Sequence, residues 1–221
     1  MKLVYKDMGH ILSFDGGYVN ELVIENKKLF FETVNSVIMQ TDGIPGNWVL
    51  SVADKPVELH QYADVTIQFA PFQVNRKSLL TKLYNAIEQK SVNVENYIKT
   101  STLICELEKY ILQLAEDLPF ELNCKNTAMG PLIRALALEI EEADKSPLER
   151  IFAYMELVRE LDRDRLFVMV NMRSYFSDKD MNEFTKSACL HDFKVLLLGN
   201  VSETRLENAK RYTVDADLCE F

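Results

Sequence analysis

Two continuous apolar runs, Leu166-Phe167-Val168-Met169-Val170 and Val195-Leu196-Leu197-Leu198, read as strands buried on both faces of a parallel sheet. From Ser78 to Asp117 the apolar spacing becomes that of two successive helices. A strand, a loop and a helix opening at Lys77-Ser78 join the two patterns. Together they predict an α/β fold, a degenerate P-loop-NTPase-like head with a parallel-type sheet and an inserted long helical hairpin. The expected division is head 1–72, helical extension 73–136 and head 137–221.

The first residues read as short strands with turn signals: Leu3 to Lys6, Ile11 to Phe14 ending at Asp15-Gly16-Gly17, and Glu21 to Ile24, a meander or hairpin. Asn26 is placed to cap a helix from Lys27 to Gln40, whose Phe30, Phe31, Val34, Val37 and Ile38 recur at helical spacing before Asp42-Gly43 stops it. Trp48 to Val52 and Val65 to Phe69 return to strand. Ser78 to Gln89 and a second helix from a cap at Asn93 to about Asp117 form the expected hairpin. In the second helix Ile104, Leu107, Ile111, Leu114 and Leu118 make a coiled-coil-like seam. At 1.5 Å per residue it runs roughly 36 Å, longer than its neighbour. The seam therefore meets either a second subunit or a long partner within the chain.

After residue 136 strands and helices alternate. Leu136 to Ile140 is expected as a strand, and Ser146, Pro147 and Glu149 form a capping box opening a helix to Leu161. Ser177 caps another helix to Leu190 between the two apolar strands. This strand, helix, strand unit places the end of the chain in the same sheet as its beginning.

A hydrophobic content of 48% suits a packed core, and no apolar run is long enough to span a bilayer. Met1-Lys2-Leu3-Val4-Tyr5-Lys6 reaches charge before a secretory h-region can form, so a cytoplasmic protein is expected. Cys105, Cys124, Cys189 and Cys219 show no ligand spacing and read as free thiols. The net charge of −9 argues against a generic nucleic-acid binder. The charge is segregated, however. From Gln73 to Thr100 five basic residues, Arg76, Lys77, Lys82, Lys90 and Lys99, stand against Glu88 and Glu95, a local +3. These are either solvated helix faces or a positive lining.

The most informative stretch runs from Val65 to Leu83. Laid on Gly-x-x-x-x-Gly-Lys-Ser, it keeps Lys77 and Ser78, but the glycine positions hold Pro71 and Arg76. Proline has no N–H to offer a phosphate, and arginine places a bulky side chain where backbone must approach closely. The strand that should end in a metal-holding acid ends in Asn171, a neutral side chain. Two defects in one machinery predict neither nucleotide binding nor hydrolysis. The bland alternative is a helix N-terminus that happens to carry a basic residue.

Other chemistry is thinner. His10, His60 and His191 are scattered and lie near no nucleophile. Asp178 to Asn182 imitates the start of a calcium loop, but Glu183 and Cys189 break the pattern, and acidic residues at a helix N-terminus explain it better. Around Pro119-Phe120, Glu116, Asp117, Glu121 and Asn123 offer oxygens to a divalent cation or form a solvated turn.

Phe72 to Leu83, the long helix ending at Glu116-Asp117-Leu118, the Leu166 to Asn171 strand followed by Tyr175-Phe176-Ser177-Asp178-Lys179-Asp180, and the Val195 to Leu198 strand together resemble the CRISPR-associated Csn-two family of type II-A systems. The resemblance runs in order from about residue 60 onward. It implies a non-catalytic protein of antiviral defence, four copies closing into a ring with double-stranded DNA through a basic hole. It further implies action in spacer acquisition beside the adaptation integrase and the effector nuclease, with calcium ordering the ring. Glu121 falls on one acidic position of the family and is expected, with Asp117, as a metal ligand, whereas Pro119 and Asn123 stand where carboxylates are expected. The family's DNA-contacting lysines do not carry over, so the expected lining, Arg76, Lys77, Lys82, Lys90 and Lys99, comes from the charge count alone. Two other readings stay open: a P-loop-like nucleotide phosphatase with an atypical loop, and a protein-interaction module acting through its hairpin.

Overall fold

The computed structural model describes residues 1–125, 127–141, 145–162 and 165–221. The chain divides into two units, one from Met1–Gln73 with Asp144–Phe221, the other from Val74–Ala143.

The first unit contains two sheets. Strands β1 (Lys2–Tyr5), β2 (Leu12–Ser13), β4 (Trp48–Val52) and β5 (Lys55–Val57) form an antiparallel sheet in the order β2-β1-β4-β5. Strands β3 (Val19–Ile24), β6 (Ala63–Thr66), β7 (Leu166–Val170), β8 (Lys194–Gly199) and β9 (Ala209–Val214) form a parallel sheet in the order β6-β7-β8-β3-β9. The first residues are therefore not one meander: β1 and β2 make a hairpin, while β3 crosses to the parallel sheet beside β8 and β9.

Alternation across the parallel sheet sends Leu22, Ile24, Val168, Val170, Leu196 and Leu198 into one core, shared with Leu3, Leu12, Trp48 and Leu50 of the antiparallel sheet and Val37 of helix α1 (Lys27–Thr41). The Asn26 side chain accepts from the Leu29 N–H and opens α1 as expected. The short helix α2 (Leu59–Tyr62) precedes β6. The other residues of the same strands, Phe167, Met169, Val195 and Leu197, are buried too, as a strand covered on both faces requires.

Helix α6 (Pro147–Asp162) buries Ile151, Tyr154, Met155 and Val158. The Ser146 N–H donates to Glu149 Oε2 at 2.6 Å, and the Glu149 N–H donates to Ser146 Oγ at 3.3 Å, the reciprocal pair its sequence promises. A 3₁₀ turn (Met172–Ser174) leads to α7 (Asp178–Leu190), opened by a second capping box of Ser177 and Asp180.

The second unit holds α3 (Lys77–Ser91), α4 (Tyr97–Leu114) and α5 (Met129–Ala135). It departs from expectation in three ways. Helix α3 packs on α5, and α4 makes no comparable contact with any described element. Asn93 does not cap α4 itself: its Oδ1 accepts from the Asn96 N–H, closing a turn that delays the helix to Tyr97. Leu136 to Ile140 is not a strand. Its backbone is spent on side chains, with the Ile140 N–H donating to Asn75 Oδ1 at 2.7 Å and Tyr84 Oη donating to the Leu138 carbonyl at 2.9 Å.

No described helix is long and apolar enough to cross a membrane. All four cysteines are free thiols, and burial pushes the Cys189 thiol up.

Candidate functional site

The segment after β6 has the strand, loop, helix layout of a phosphate loop, and packing explains what the loop does instead. Phe69 and Phe72 are buried, and their rings stack with centroids 6.4 Å apart. Phe69 also meets Tyr175 at 5.6 Å and Phe176 at 6.3 Å, and Phe72 meets Tyr154 edge-on at 5.6 Å. This is why the strand stops at Thr66: Phe69 leaves the ladder for an aromatic cluster. The Arg76 N–H, one of the amides a phosphate would need, donates to the Val74 carbonyl at 2.8 Å. Asn75 is occupied as well, its Nδ2 donating to the Ile140 carbonyl at 3.0 Å.

β6 and β7 are parallel neighbours, with Thr66 opposite Met169, so the loop and Asn171 emerge at the same end of the sheet. Phosphate loop and metal acid meet at that end in a working enzyme. Here Asn171 takes the left-handed conformation, φ 54°, and its N–H donates to the Leu198 carbonyl at 2.8 Å. A side chain that tolerates this backbone serves the turn without supplying charge.

Beside Asn171 lies a cluster the sequence reading missed. Glu21, within β3, is 2% exposed and accepts from Arg173 Nη1 at 2.8 Å, Arg211 Nε at 2.7 Å and Arg211 Nη2 at 3.2 Å. Arg173 also reaches Asp178 at 2.8 Å and Glu203 at 3.4 Å, while Arg211 donates to the Glu203 and Thr204 carbonyls. Burial opposes the Arg173 charge, but its hydrogen bonds to Glu21 and Asp178 outweigh that and hold it above the usual guanidinium value. The hydrogen bonds from Arg173 and Thr204 hold Asp178 below the usual carboxylate range. The available signal was a glutamate inside an apolar strand, which implies a buried partner. Its partners, 152 and 190 residues away, were not readable.

The expected DNA-contacting residues all fall in the second unit. Arg76 precedes α3; Lys77, Lys82 and Lys90 lie on it, and Lys99 lies on α4. Lys77, Lys90 and Lys99 are exposed, while Arg76 and Lys82 are partly buried. At about 100° per residue, Lys82 and Lys90 fall on one side of α3 and Lys77 on another, so the helix does not gather all its lysines on one stripe.

Asp117 and Glu121 stand exposed in the turn after α4. Glu121 and Glu116 line a groove of ≈ 510 Å³ with Leu118, Pro119, Phe120 and Leu122; Asp117 is not part of it. Among the described residues no three His, Cys, Asp or Glu converge on one point. The two carboxylates of Asp117 and Glu121 fall short of the six to eight oxygens calcium takes, so the described residues of one chain do not by themselves present a fitting donor set. Above the turn, α4 has no buried residue. Of its seam, Leu107, Ile111 and Leu114 are exposed, and Ile104 is partly so.

The family model described as "CRISPR-associated protein (Cas_Csn2)" matches residues 40–218. Among solved structures, that of Stu0660 of Streptococcus thermophilus is similar with a TM-score of 0.55 at 12% identity, over 92% of this chain and 70% of that one. The recombination mediator protein RecF, solved as RecF-ATPrS, aligns over 97% of this chain and 95% of that one, with a TM-score of 0.43 at 10% identity.

Proposed function

The chain belongs to the CRISPR-associated Csn2 family, and from that premise we propose that it is a non-catalytic binder of double-stranded DNA in spacer acquisition. The observation that carries this reading is the altered phosphate loop. Phe69 and Phe72 are buried in an aromatic cluster, Pro71 offers no N–H, and the Arg76 amide is bonded within the loop. Asn171, a neutral side chain at the end of the neighbouring strand, supports the same reading.

DNA would be held by charge. In this reading four copies close into a ring whose lining carries Lys77, Lys90 and Lys99, with Arg76 and Lys82 behind them. Segregated charge lets a protein of net −9 focus positive potential into one hole. The exposed seam of α4 supports assembly, because an 18-residue helix with nothing buried is marginal alone. Calcium would be shared between copies, each contributing Glu121 and its neighbours. The adaptation integrase and the effector nuclease would dock on the acidic exterior.

Topology supplies the test. A closed ring is threaded only from a free end, so linear duplexes bind and covalently closed circles of the same sequence do not. If each of four copies neutralises one or two phosphates, the log-log salt slope is about −4 to −7. Equal affinity for circular and linear DNA in a mobility-shift titration removes threading. No binding to either at low salt, with calcium present, removes DNA as the ligand.

A further inference from the structure

Buried polar chemistry converges at the C-terminal ends of β3, β7 and β8, the end at which open α/β sheets take their ligands. A cavity of ≈ 20 Å³ there is lined by Glu21, Asn171, Arg173, Ser174, Asn200 and Glu203 among others. The Arg173 side chain is 9% exposed. Its Nη1 and Nη2 donate at 2.8 Å to Glu21 and Asp178 respectively. Its Nε is different: this buried donor finds no hydrogen-bond acceptor among the described residues. Glu203 Oε2 stands 3.4 Å from it, close enough to pair in charge but without hydrogen-bond geometry.

Glu203 is thus the loosest of the three carboxylates on Arg173, and its side chain is 33% exposed, against 3% for Glu21. It sits on the connection between β8 and β9, held to the sheet through Arg211. We propose that the Nε edge of Arg173 is a binding site for a phosphoryl group, and that the Glu203 carboxylate is an internal stand-in the ligand displaces.

Charge favours such an exchange over simple addition. With Glu203 seated, three carboxylates face two guanidiniums, a net −1 that repels an anion. With Glu203 turned outward the cluster is neutral, and the Arg173 Nε–H, the Ser174 hydroxyl and the Asn171 and Asn200 amides are the donors around the cavity. A phosphoryl group brings more acceptor oxygens to this donor set than the carboxylate it replaces. The cavity with Glu203 in place has room for about one water, so the ligand enters only as Glu203 leaves. A nucleotide is not required, and the site is independent of the loop after β6 and of the DNA-binding reading.

The side-chain Nε–Hε resonance of Arg173 in a ¹⁵N-correlated spectrum reports the site directly, read on the full chain titrated with inorganic phosphate. Millimolar phosphate shifts this resonance in the wild type. Glu203→Gln, which removes the competing charge while keeping the shape, lowers the concentration needed by about tenfold. In Arg173→Lys the reporter resonance is gone, so binding is read there from the ³¹P line width of the added phosphate, which no longer broadens; should that variant fail to fold, the Glu203→Gln comparison decides alone. Duplexes with 5′-phosphate and 5′-hydroxyl ends identify the source. Displacement of bound inorganic phosphate by the phosphorylated duplex alone assigns the site to a DNA end, and displacement by neither assigns it to free phosphate. An Arg173 resonance unmoved by phosphate in both wild type and Glu203→Gln overturns the proposal, as does equal phosphate affinity of the two.

Discussion

Glu21 is the residue on which most buried charge in the head depends, because two guanidiniums from distant parts of the chain share its carboxylate. Glu21→Ala leaves both arginines facing a gap and lowers unfolding free energy by about 3–5 kcal/mol, measured by urea titration. Nearby, Asp178 titrates below the usual carboxylate range through Arg173 and Thr204, and Glu149 does so through the Ser146 N–H and hydroxyl. Both are depressed in the fold, so the stability they contribute is present above about pH 4 and lost as pH falls through their lower folded values. The urea midpoint is therefore flat from neutral pH down to that region and declines below it; a midpoint rising on acidification contradicts the assignment. At the two-residue turn joining β4 to β5, Ala53 and Asp54 have φ of 49° and 59°. Alanine is strained there, so Ala53→Gly raises stability by up to about 1 kcal/mol while leaving the Lys2–Asp54 ion pair in place.

At the scale of elements, α6 and α4 stand at opposite extremes. Helix α6 is tied at its start by the Ser146–Glu149 pair and along its length by four buried side chains. Ser146→Ala costs about 1 kcal/mol and little else. Helix α4 has a seam of the same quality in sequence but no buried residue, with Ile111 49% and Leu114 64% exposed. If copies of the chain cover that face, Ile111→Asp lowers the mass measured by light scattering toward that of one chain while the head keeps its melting transition. A wild-type protein that is monomeric at micromolar concentrations, with calcium and with chelator alike, removes the ring.

For the molecule as a whole, the loop after β6 decides between a nucleotide enzyme and a binding protein. Calorimetry with ATP or GTP and Mg²⁺ should show no heat of binding, since Pro71 offers no N–H, the Arg76 N–H is bonded to the Val74 carbonyl and Asn171 lacks charge. Micromolar binding abolished by Lys77→Ala returns the phosphatase reading to first place. Family membership, with the model match running across both units, is what makes the DNA reading the stronger of the two.

Local chemistry was legible in the residues themselves. The capping boxes at Ser146 and Ser177, the buried runs Leu166 to Val170 and Val195 to Leu198, and the misplaced Pro71 and Arg76 all depend on neighbours a few positions away, and each appears in the structure where its spacing places it. The strand expected at Leu136 to Ile140 failed because Asn75 and Tyr84, more than 50 residues away, claim its backbone groups. The two helices of the expected hairpin, α3 and α4, are both present, but their packing was not legible for a related reason: an apolar seam says that a partner is needed, not which one, and it is α5 that makes the extensive contact with α3. The Glu21 cluster was hidden most completely. A carboxylate in an apolar strand is affordable only beside a cation, and which arginines arrive there is set by the parallel pairing of β3 with β9 and by the turn after β7, decided when the sheet closes.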